Sequence, residues 1–585
     1  MTEVNPLANS ISTTEELEKL LILGNELASQ GLHEQALIHF LKLVELDSES
    51  AAGWEACGHA LDRLGRWGEA AQALTHAADL DPTNIDHRSA LGILYHKMSN
   101  TDGQIHWYGE ALALQPNSLI LKLNHALVLP AVATSREQVD ALIERCETLF
   151  SNLESAENLE FSDARMRCQP SLLAYYNRNN RPLLESYGRM MFRCYGDDPS
   201  FDQRVTPKPK ANGDKIRIGF ISGFFCDHSN ARAFEGLIKH INHNLFEVVL
   251  IHLADSRHDA VSEELESYCD EVQRLSAPTE EAVTELRRLV LDVLFFTDIG
   301  MHPDITRLAS RRHAPLQVTG WGWPQTSGLP TVDAYLSGDL VESEFAQEHY
   351  SENLIRLPGI PCCYLSERLE DPTKDRGYFF LPEDRLFGCI QSLHKIHPDF
   401  DDILESIAKN VPEAWFVFVE SQVTSFTEIF LNRIAKYAPH VSNRMILLGH
   451  MSRQDFQSLA ACLDMLLDTP YFGSGVTLFE TIHDGTPIIT LEGPFLRSRF
   501  VAGAYRLMGV GHPPVAQSAE EYVKIASRLM QDSEARMKLR EEIRHKAKTH
   551  LYDRLDYVRG FEDFALDAIR RGGVSRDGQW QPQST

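Results

Sequence analysis

The sequence has no long apolar run. Its most apolar stretch, around Leu291–Phe296, is far short of the ~20 residues a membrane-spanning helix needs. It has no paired cysteines either. Ten are scattered along 585 residues without a C-x-x-C pair, and the adjacent Cys362–Cys363 has neither zinc-finger spacing nor useful disulfide geometry. Such usage excludes a disulfide scaffold and fits a reducing compartment. Positive charge is scarce: 56 Lys and Arg face 83 Asp and Glu, a net charge of −27. A surface that acidic repels phosphate backbones, which argues against nucleic-acid binding as the main activity. The first twenty residues have no basic region leading into an apolar core, so no signal peptide is expected and the expected compartment is the cytoplasm.

What the chain does have is a repeat. Gly24, Gly58 and Gly92 recur every 34 residues, as do Leu46, Leu80 and Leu114, while Ala36/Ala70 and Gly31/Gly65 share the period. Small residues at fixed phase let paired helices approach closely, and the turn glycines separate the two helices of each unit. The pattern resembles the tetratricopeptide repeat over residues 16–117, with a degenerate third copy in which Ser99 replaces the turn glycine and Gln104 the packing alanine. A stack of such hairpins presents a concave surface suited to a peptide or partner protein, or to pairing of two copies of the chain. Residues 118–203 are expected as a helical cap or adapter, flanked by tails at 1–15 and 571–585.

After a Pro/Lys/Gly-rich linker at 204–213 the period changes. Short β-rich runs alternate with helical segments: Ile216–Ser222, Phe246–His252, Val290–Phe296 and Pro315–Thr319, then Leu386–Ile390, Trp415–Glu420, Arg444–Leu448, Met465–Asp468 and Pro487–Leu491. Such alternation predicts parallel sheets covered by helices on both faces. Two series in tandem predict two doubly wound, Rossmann-like lobes, 214–370 and 371–570. The expected architecture is therefore an α-solenoid followed by a two-lobed α/β domain. Ligands in such folds sit beyond the carboxyl ends of the strands, so the loops there carry the candidate chemistry.

The most informative loop runs from Thr469 to Thr477, with Gly473, Ser474 and Gly475 ahead of a helix predicted to start near Val476 and Glu480 one turn inside it. Glycines let the backbone approach an anion, and a carboxylate one turn on can accept hydrogen bonds from ribose hydroxyls. Strand, glycine loop, helix and acid suit a nucleotide diphosphate. Ser392 and Lys395 occupy the loop after Leu386–Ile390, where a lysine can neutralise charge on a departing β-phosphate. Arg453 occupies the comparable loop after Leu448. In the first lobe, His228 follows the first strand and is a candidate for accepting a hydroxyl proton. Asp298 and His302, after the strand ending near Phe296, are further acid/base candidates. The loop Trp321-Gly322-Trp323-Pro324 offers aromatic faces to a sugar ring, whose C–H face packs on aromatics. Asp399-Phe400-Asp401 has the D-x-D spacing of metal-dependent sugar transferases, but it opens a helix after Pro398, where acids are expected from the dipole alone. No metal site is expected.

Taken in order, residues 313–333 (HAPLQVTGWGWPQTSGLPTVD), Leu393-His394-Lys395-Ile396 and residues 466–480 (LLDTPYFGSGVTLFE) resemble the O-GlcNAc transferase/SPINDLY family of protein glycosyltransferases, and more distantly the HMW1C-type enzymes. The resemblance implies a GT-B fold and an inverting, metal-independent transfer from a nucleotide sugar, with no further cofactor, onto Ser/Thr hydroxyls of a protein. It places Lys395 at the diphosphate, Arg453, Thr477 and Glu480 at nucleotide contacts, His228 at the active-site histidine, and Trp321 and Trp323 beside the sugar pocket. The animal enzymes have His-Thr-Thr and then Asp where this chain has Gly475-Val476-Thr477 and Glu480. Phe472 falls where the GlcNAc enzymes carry a smaller residue and the fucosyl branch an aromatic. UDP-GlcNAc, a UDP-hexose and GDP-fucose therefore stand as donors in that order. A glycan or small-molecule acceptor, and a repeat scaffold with a degenerate transferase domain, are the alternative readings.

Overall fold

The computed structural model describes residues 6–154, 170–196, 213–276 and 280–571, so most of the expected linker at 204–213 and the C-terminal tail lie outside the described residues. The chain divides into two compact units, one of residues 1–130 and 144–169, the other of 131–143 and 170–585.

The first unit holds three helical hairpins: Pro6–Ser29 with His33–Leu46, Ala51–Arg63 with Trp67–Leu80, and Ile85–Lys97 with Thr101–Leu114. Each periodic glycine meets a large side chain of the second helix of its hairpin. A Cβ on Gly24, Gly58 or Gly92 would fall 2.3 Å from Phe40, 2.5 Å from Leu74 or 2.6 Å from Tyr108. Those partners share the 34-residue period, so glycine and knob recur as a matched pair. Ser99 keeps the left-handed turn of Gly31 and Gly65, with φ of 56° against 79° and 73°. The hairpin geometry thus survives the loss of its glycine, at the conformational cost a side chain bears there.

The second unit contains two sheets, every strand pair parallel. The first comprises β1 (Ile216–Ser222), β2 (Phe246–His252), β3 (Glu271–Arg274), β4 (Val293–Phe296), β5 (Leu316–Gly320), β6 (Ala334–Gly338) and β7 (Asn353–Leu357), ordered 3-2-1-4-5-6-7. The second comprises β8 (Leu386–Cys389), β9 (Trp415–Val419), β10 (Met445–Leu448), β11 (Met465–Leu467), β12 (Ile488–Leu491) and β13 (Val515–Ala516), ordered 10-9-8-11-12-13. The topological switch lies between β1 and β4 in one sheet and between β8 and β11 in the other. Those are the positions where open α/β sheets leave a crevice for ligand.

Several elements differ from expectation. The strand expected from Val290 begins at Val293, because Val290 is 70% exposed and turns with φ of 49°. β3, β6, β7 and β13 were not anticipated; β3 alternates half-buried and exposed residues at a sheet edge and β13 has two residues, too little for a pattern. The adapter expected at 118–203 is not one body, since 131–143 and 170 onward belong with the sheets. Arg433 explains part of this: buried and paired with Asp401 at 2.9 Å, it also donates to the carbonyl of Ala133 at 2.7 Å. The last helix, Asp556–Arg570, expected in the second lobe, packs on the first. Phe561 lies 6.3 Å from Phe220 and 5.9 Å from Phe295, and Glu562 accepts the Asn242 N–H at 2.7 Å. Its apolar stripe of Tyr557, Phe561, Phe564 and Ala565 is fully buried, and the sheet of the first lobe is where that stripe is covered.

Candidate active site

Lys395 ends a short 3₁₀ turn after β8, its N–H held by the carbonyl of the exposed Ser392 at 2.9 Å. Its ammonium donates to Gln391 Oε1 at 2.9 Å and Gly473 O at 3.4 Å, and lies 5.2 Å above the ring of Phe472. Burial pulls the ammonium from 10.5 down to about 8, against the opposing pull of Asp468. Gln391 uses its other end on the loop after β11, donating to Ser474 Oγ at 2.8 Å and Thr477 Oγ1 at 3.3 Å. The loop is shaped from beneath by Asp468, fully enclosed, which accepts the Ser474 N–H at 2.7 Å, its hydroxyl at 2.8 Å and the Thr490 hydroxyl at 2.8 Å. Gly473 has no room for a side chain, because a Cβ would fall 2.5 Å from Asp468. Lys395, Gly473, Ser474 and Thr477 are thus gathered within one hydrogen-bonded cluster, and Gln391, not singled out from the sequence, is its centre. The helix after the loop spans only Val476–Ile482, so its dipole is short and Lys395 is the principal positive charge.

Gly475 faces the other lobe. An ideal Cβ there would sit 3.7 Å from Trp321, whose indole packs on Phe500 at 5.0 Å. Trp323 and Phe472 meet at 5.8 Å. Gly322 belongs to the packing instead, since a Cβ would strike the Thr297 carbonyl at 1.9 Å. Pro324 is buried beside Asn180 and Phe495, at the edge of a narrow crevice.

His228 caps helix Ser229–His240, its Nδ1 accepting the Asn230 N–H at 3.1 Å while the ring stacks on Phe224 at 4.5 Å. With that lone pair engaged, the neutral ring carries its proton on Nε2. Burial, reinforced by Arg232 and Arg257, lowers its value to about 4. In that tautomer the ring presents Nε2–H as a hydrogen-bond donor. His302 caps helix Pro303–Ala309 in the same way, accepting the Asp304 N–H at 3.3 Å. Asp298 has no exposure and holds the loop after β1, accepting the Gly223 N–H at 3.2 Å and the Thr297 hydroxyl at 3.3 Å. Burial raises it to about 7, and its place beneath the loop makes it a support rather than an exposed acid.

Glu480 is engaged by groups of the first lobe. It is 5% exposed, pairs with Arg232 of the first lobe at 3.1 Å and accepts the Tyr364 hydroxyl at 3.1 Å. Burial raises its value despite Arg232. Arg453 opens helix Arg453–Cys462 and bonds Glu370 at 3.2 Å. With Asp227, Arg232, Arg257, Asp259 and Arg368 it lines an open cavity of about 530 Å³ between the lobes. The D-x-D carboxylates are both engaged, Asp399 by Arg136 and the Tyr471 hydroxyl, Asp401 by Arg433.

Tyr175 was also not anticipated. It comes from the turn Pro170–Tyr175, outside both sheets, and its ring meets Phe472 at 4.6 Å, His394 at 4.9 Å and Trp323 at 5.9 Å. No sequence periodicity marks it.

Residues 372–561 match the model of Glycosyl transferase family 41. Over 66% of its length the chain is 26% identical to a probable UDP-N-acetylglucosamine–peptide N-acetylglucosaminyltransferase SPINDLY of Oryza sativa subsp. japonica, covering 42% of that protein. It is 23% identical to the probable transferase SEC of Arabidopsis thaliana (63% of this chain, 38% of that one). It is 22% identical to the UDP-glucose:protein N-beta-glucosyltransferase of Actinobacillus pleuropneumoniae (43% and 40%). The chain spans less than half the length of these relatives. A lysine-to-methionine mutant of Thermobaculum terrenum O-GlcNAc transferase superposes with a TM-score of 0.69 at 21% identity, covering 96% of this chain and 98% of that one, which establishes the two-lobed GT-B fold behind a helical N-terminal region. No helix among the described residues is long and apolar enough to cross a membrane. The chain is thus similar to the SPINDLY and SEC proteins, and its residues 372–561 match a glycosyl transferase family 41 domain.

Proposed function

We propose that the chain is an inverting glycosyltransferase moving GlcNAc or a hexose from a UDP-linked donor onto protein side chains, most favourably Ser/Thr hydroxyls. The observation that carries this reading is Lys395 held against the loop at Gly473–Thr477, where the switch point of the second sheet opens toward the first lobe. In the reaction the bond between the anomeric carbon and the β-phosphate oxygen breaks, and its electrons leave with the nucleotide diphosphate. Lys395 and the Thr477 hydroxyl receive the growing negative charge, the largest contribution expected of such a site. The acceptor oxygen forms the new bond on the opposite face of the sugar, and its proton passes to a water relay. His228 serves through Nε2–H as a donor to substrate oxygen. Arg453 and the arginine-lined cavity take the nucleoside end. No cofactor or metal beyond the nucleotide sugar is called for, because Lys395 supplies the charge on the leaving group. The repeats present the protein acceptor or pair two copies of the chain, in a cytoplasmic setting.

A donor screen by mass spectrometry tests the reading: UDP-GlcNAc, UDP-glucose and GDP-fucose with protein and small-molecule acceptors. Sugar on protein, lost in a folded Lys395→Ala variant, is the expected result. Transfer to small acceptors alone would reassign the acceptor. Absence of turnover and of UDP binding by calorimetry would leave a repeat scaffold.

A further inference from the structure

The ring cluster beside Lys395 is built partly from outside the lobes. Phe472 lies under the Lys395 ammonium, Trp323 reaches it from the first lobe, and Tyr175 closes the remaining side against both and against His394. Tyr175 and Phe472 are each only 9% exposed. Ring centroids 4.6 Å apart are in van der Waals contact, so no group passes between them unless a ring moves.

Tyr175 is also firmly placed. The buried guanidinium of Arg497 donates to the carbonyls of Tyr176 at 3.2 Å and Arg178 at 2.7 Å, while the Arg497 carbonyl accepts the Gly473 N–H at 2.8 Å. One residue thereby ties the Tyr175 turn to the loop that holds Lys395. On the other side Asn180 donates to Leu173 O at 2.9 Å and to Gln325 Oε1 at 3.0 Å, fixing the turn to the first lobe. Behind it, helix Arg181–Tyr195 packs so closely that a Cβ on Gly188 would fall 2.0 Å from the Gly328 carbonyl. A wall pinned from both lobes discriminates by shape, since its displacement breaks bonds on each side.

We infer that Tyr175 is a specificity-determining residue of the donor site, a wall that admits an unsubstituted hexose beside the diphosphate and excludes one carrying an N-acyl arm. This rests on the donor-site reading above. It narrows that reading from the two UDP-sugars to the plain hexose.

The test compares turnover of UDP-glucose and UDP-N-acetylglucosamine by the full chain, together with calorimetric binding of UDP alone. Wild type is expected to favour UDP-glucose. Tyr175→Ala is expected to move the ratio of kcat/KM toward the N-acetyl donor by about tenfold or more, with Kd for UDP within about twofold of wild type. Tyr175→Leu keeps apolar volume in the turn and tests the same point should the alanine variant fail to fold, and Tyr175→Phe is expected to keep the wild-type ratio. A wild-type preference for the N-acetyl donor overturns the inference, as does an unchanged ratio in a folded Ala or Leu variant that still binds UDP. Failure of the donor-site reading looks different: wild type then neither binds UDP nor releases it from either donor.

Discussion

Gln391 stands 2.9 Å from Lys395 and accepts its ammonium proton, while its amide nitrogen reaches across to Ser474 and Thr477. The side chain joins the two loops after β8 and β11 that flank the switch point of the second sheet, so the charge on Lys395 and the oxygens of the glycine loop are set at one spacing before any ligand arrives.

Removing that bridge is expected to loosen the phosphate end without unfolding the lobe. Gln391→Ala should weaken UDP binding by about tenfold, the equivalent of one lost charged hydrogen bond. Gln391→Glu should weaken it more, because a carboxylate would then sit beside the diphosphate. Calorimetric titration with UDP decides, and equal binding by all three proteins would remove Gln391 from the site.

The ammonium of Lys395 gives an alkaline limit to activity. Its value of about 8 lies below the 10.5 of a free lysine because burial disfavours the charged form. As pH rises through about 8 the free enzyme loses the charge, so kcat/KM for the donor should fall there. A bound diphosphate favours the ammonium, so kcat should hold to higher pH. Lys395→Ala should cost about 10²–10³-fold in turnover. An alkaline fall that persists unchanged in Lys395→Arg would assign it to another group.

His228 is expected to act without titrating near neutrality. Asparagine can cap the same helix through its side-chain oxygen, so His228→Asn should fold while losing the Nε2–H donor, with kcat/KM down by about 10²-fold. The pH profile between 5 and 7 should keep its shape in the variant. A fall in wild-type activity below pH ~6.5 that vanishes in His228→Asn would restore the histidine as a proton acceptor.

Asp298 should leave a signature in stability. Its folded value of about 7 exceeds the ordinary 3.8, so the folded state binds the extra proton. The stabilisation is complete below about 4 and is lost as pH rises through about 7, at up to about 1.4 kcal/mol per pH unit. Relative to Asp298→Asn, which does not titrate, wild-type Tm should decline across that interval. Parallel Tm curves would show that the carboxyl is not held protonated.

The periodic part of the molecule was legible from residues alone, since a 34-residue repeat is written by contacts within one hairpin. Gly24 and Phe40, Gly58 and Leu74, Gly92 and Tyr108 are near neighbours along the chain, and even Ser99 held its turn. The alternation of strands and helices was legible for the same reason, with local composition setting each element. β3 escaped because its four residues include one apolar side chain, Val272, and β13 because two residues cannot show alternation. At the site, the loops bearing Lys395 and Gly473 could be named, because strand ends in a doubly wound lobe are where ligands go.

Which side chains meet there was decided only by tertiary structure. Glu480, free by its spacing, is taken by Arg232; the lone pair of His228 is taken by the helix it caps; Tyr175 arrives from a turn roughly 300 residues away from Phe472 in the chain. The physical reason is the range of the forces. Backbone propensity and hydrophobic period act over a few residues and are carried by composition. A buried hydrogen bond or ring contact depends on which distant groups the packed lobes bring to within about 3–6 Å, and no local pattern records that.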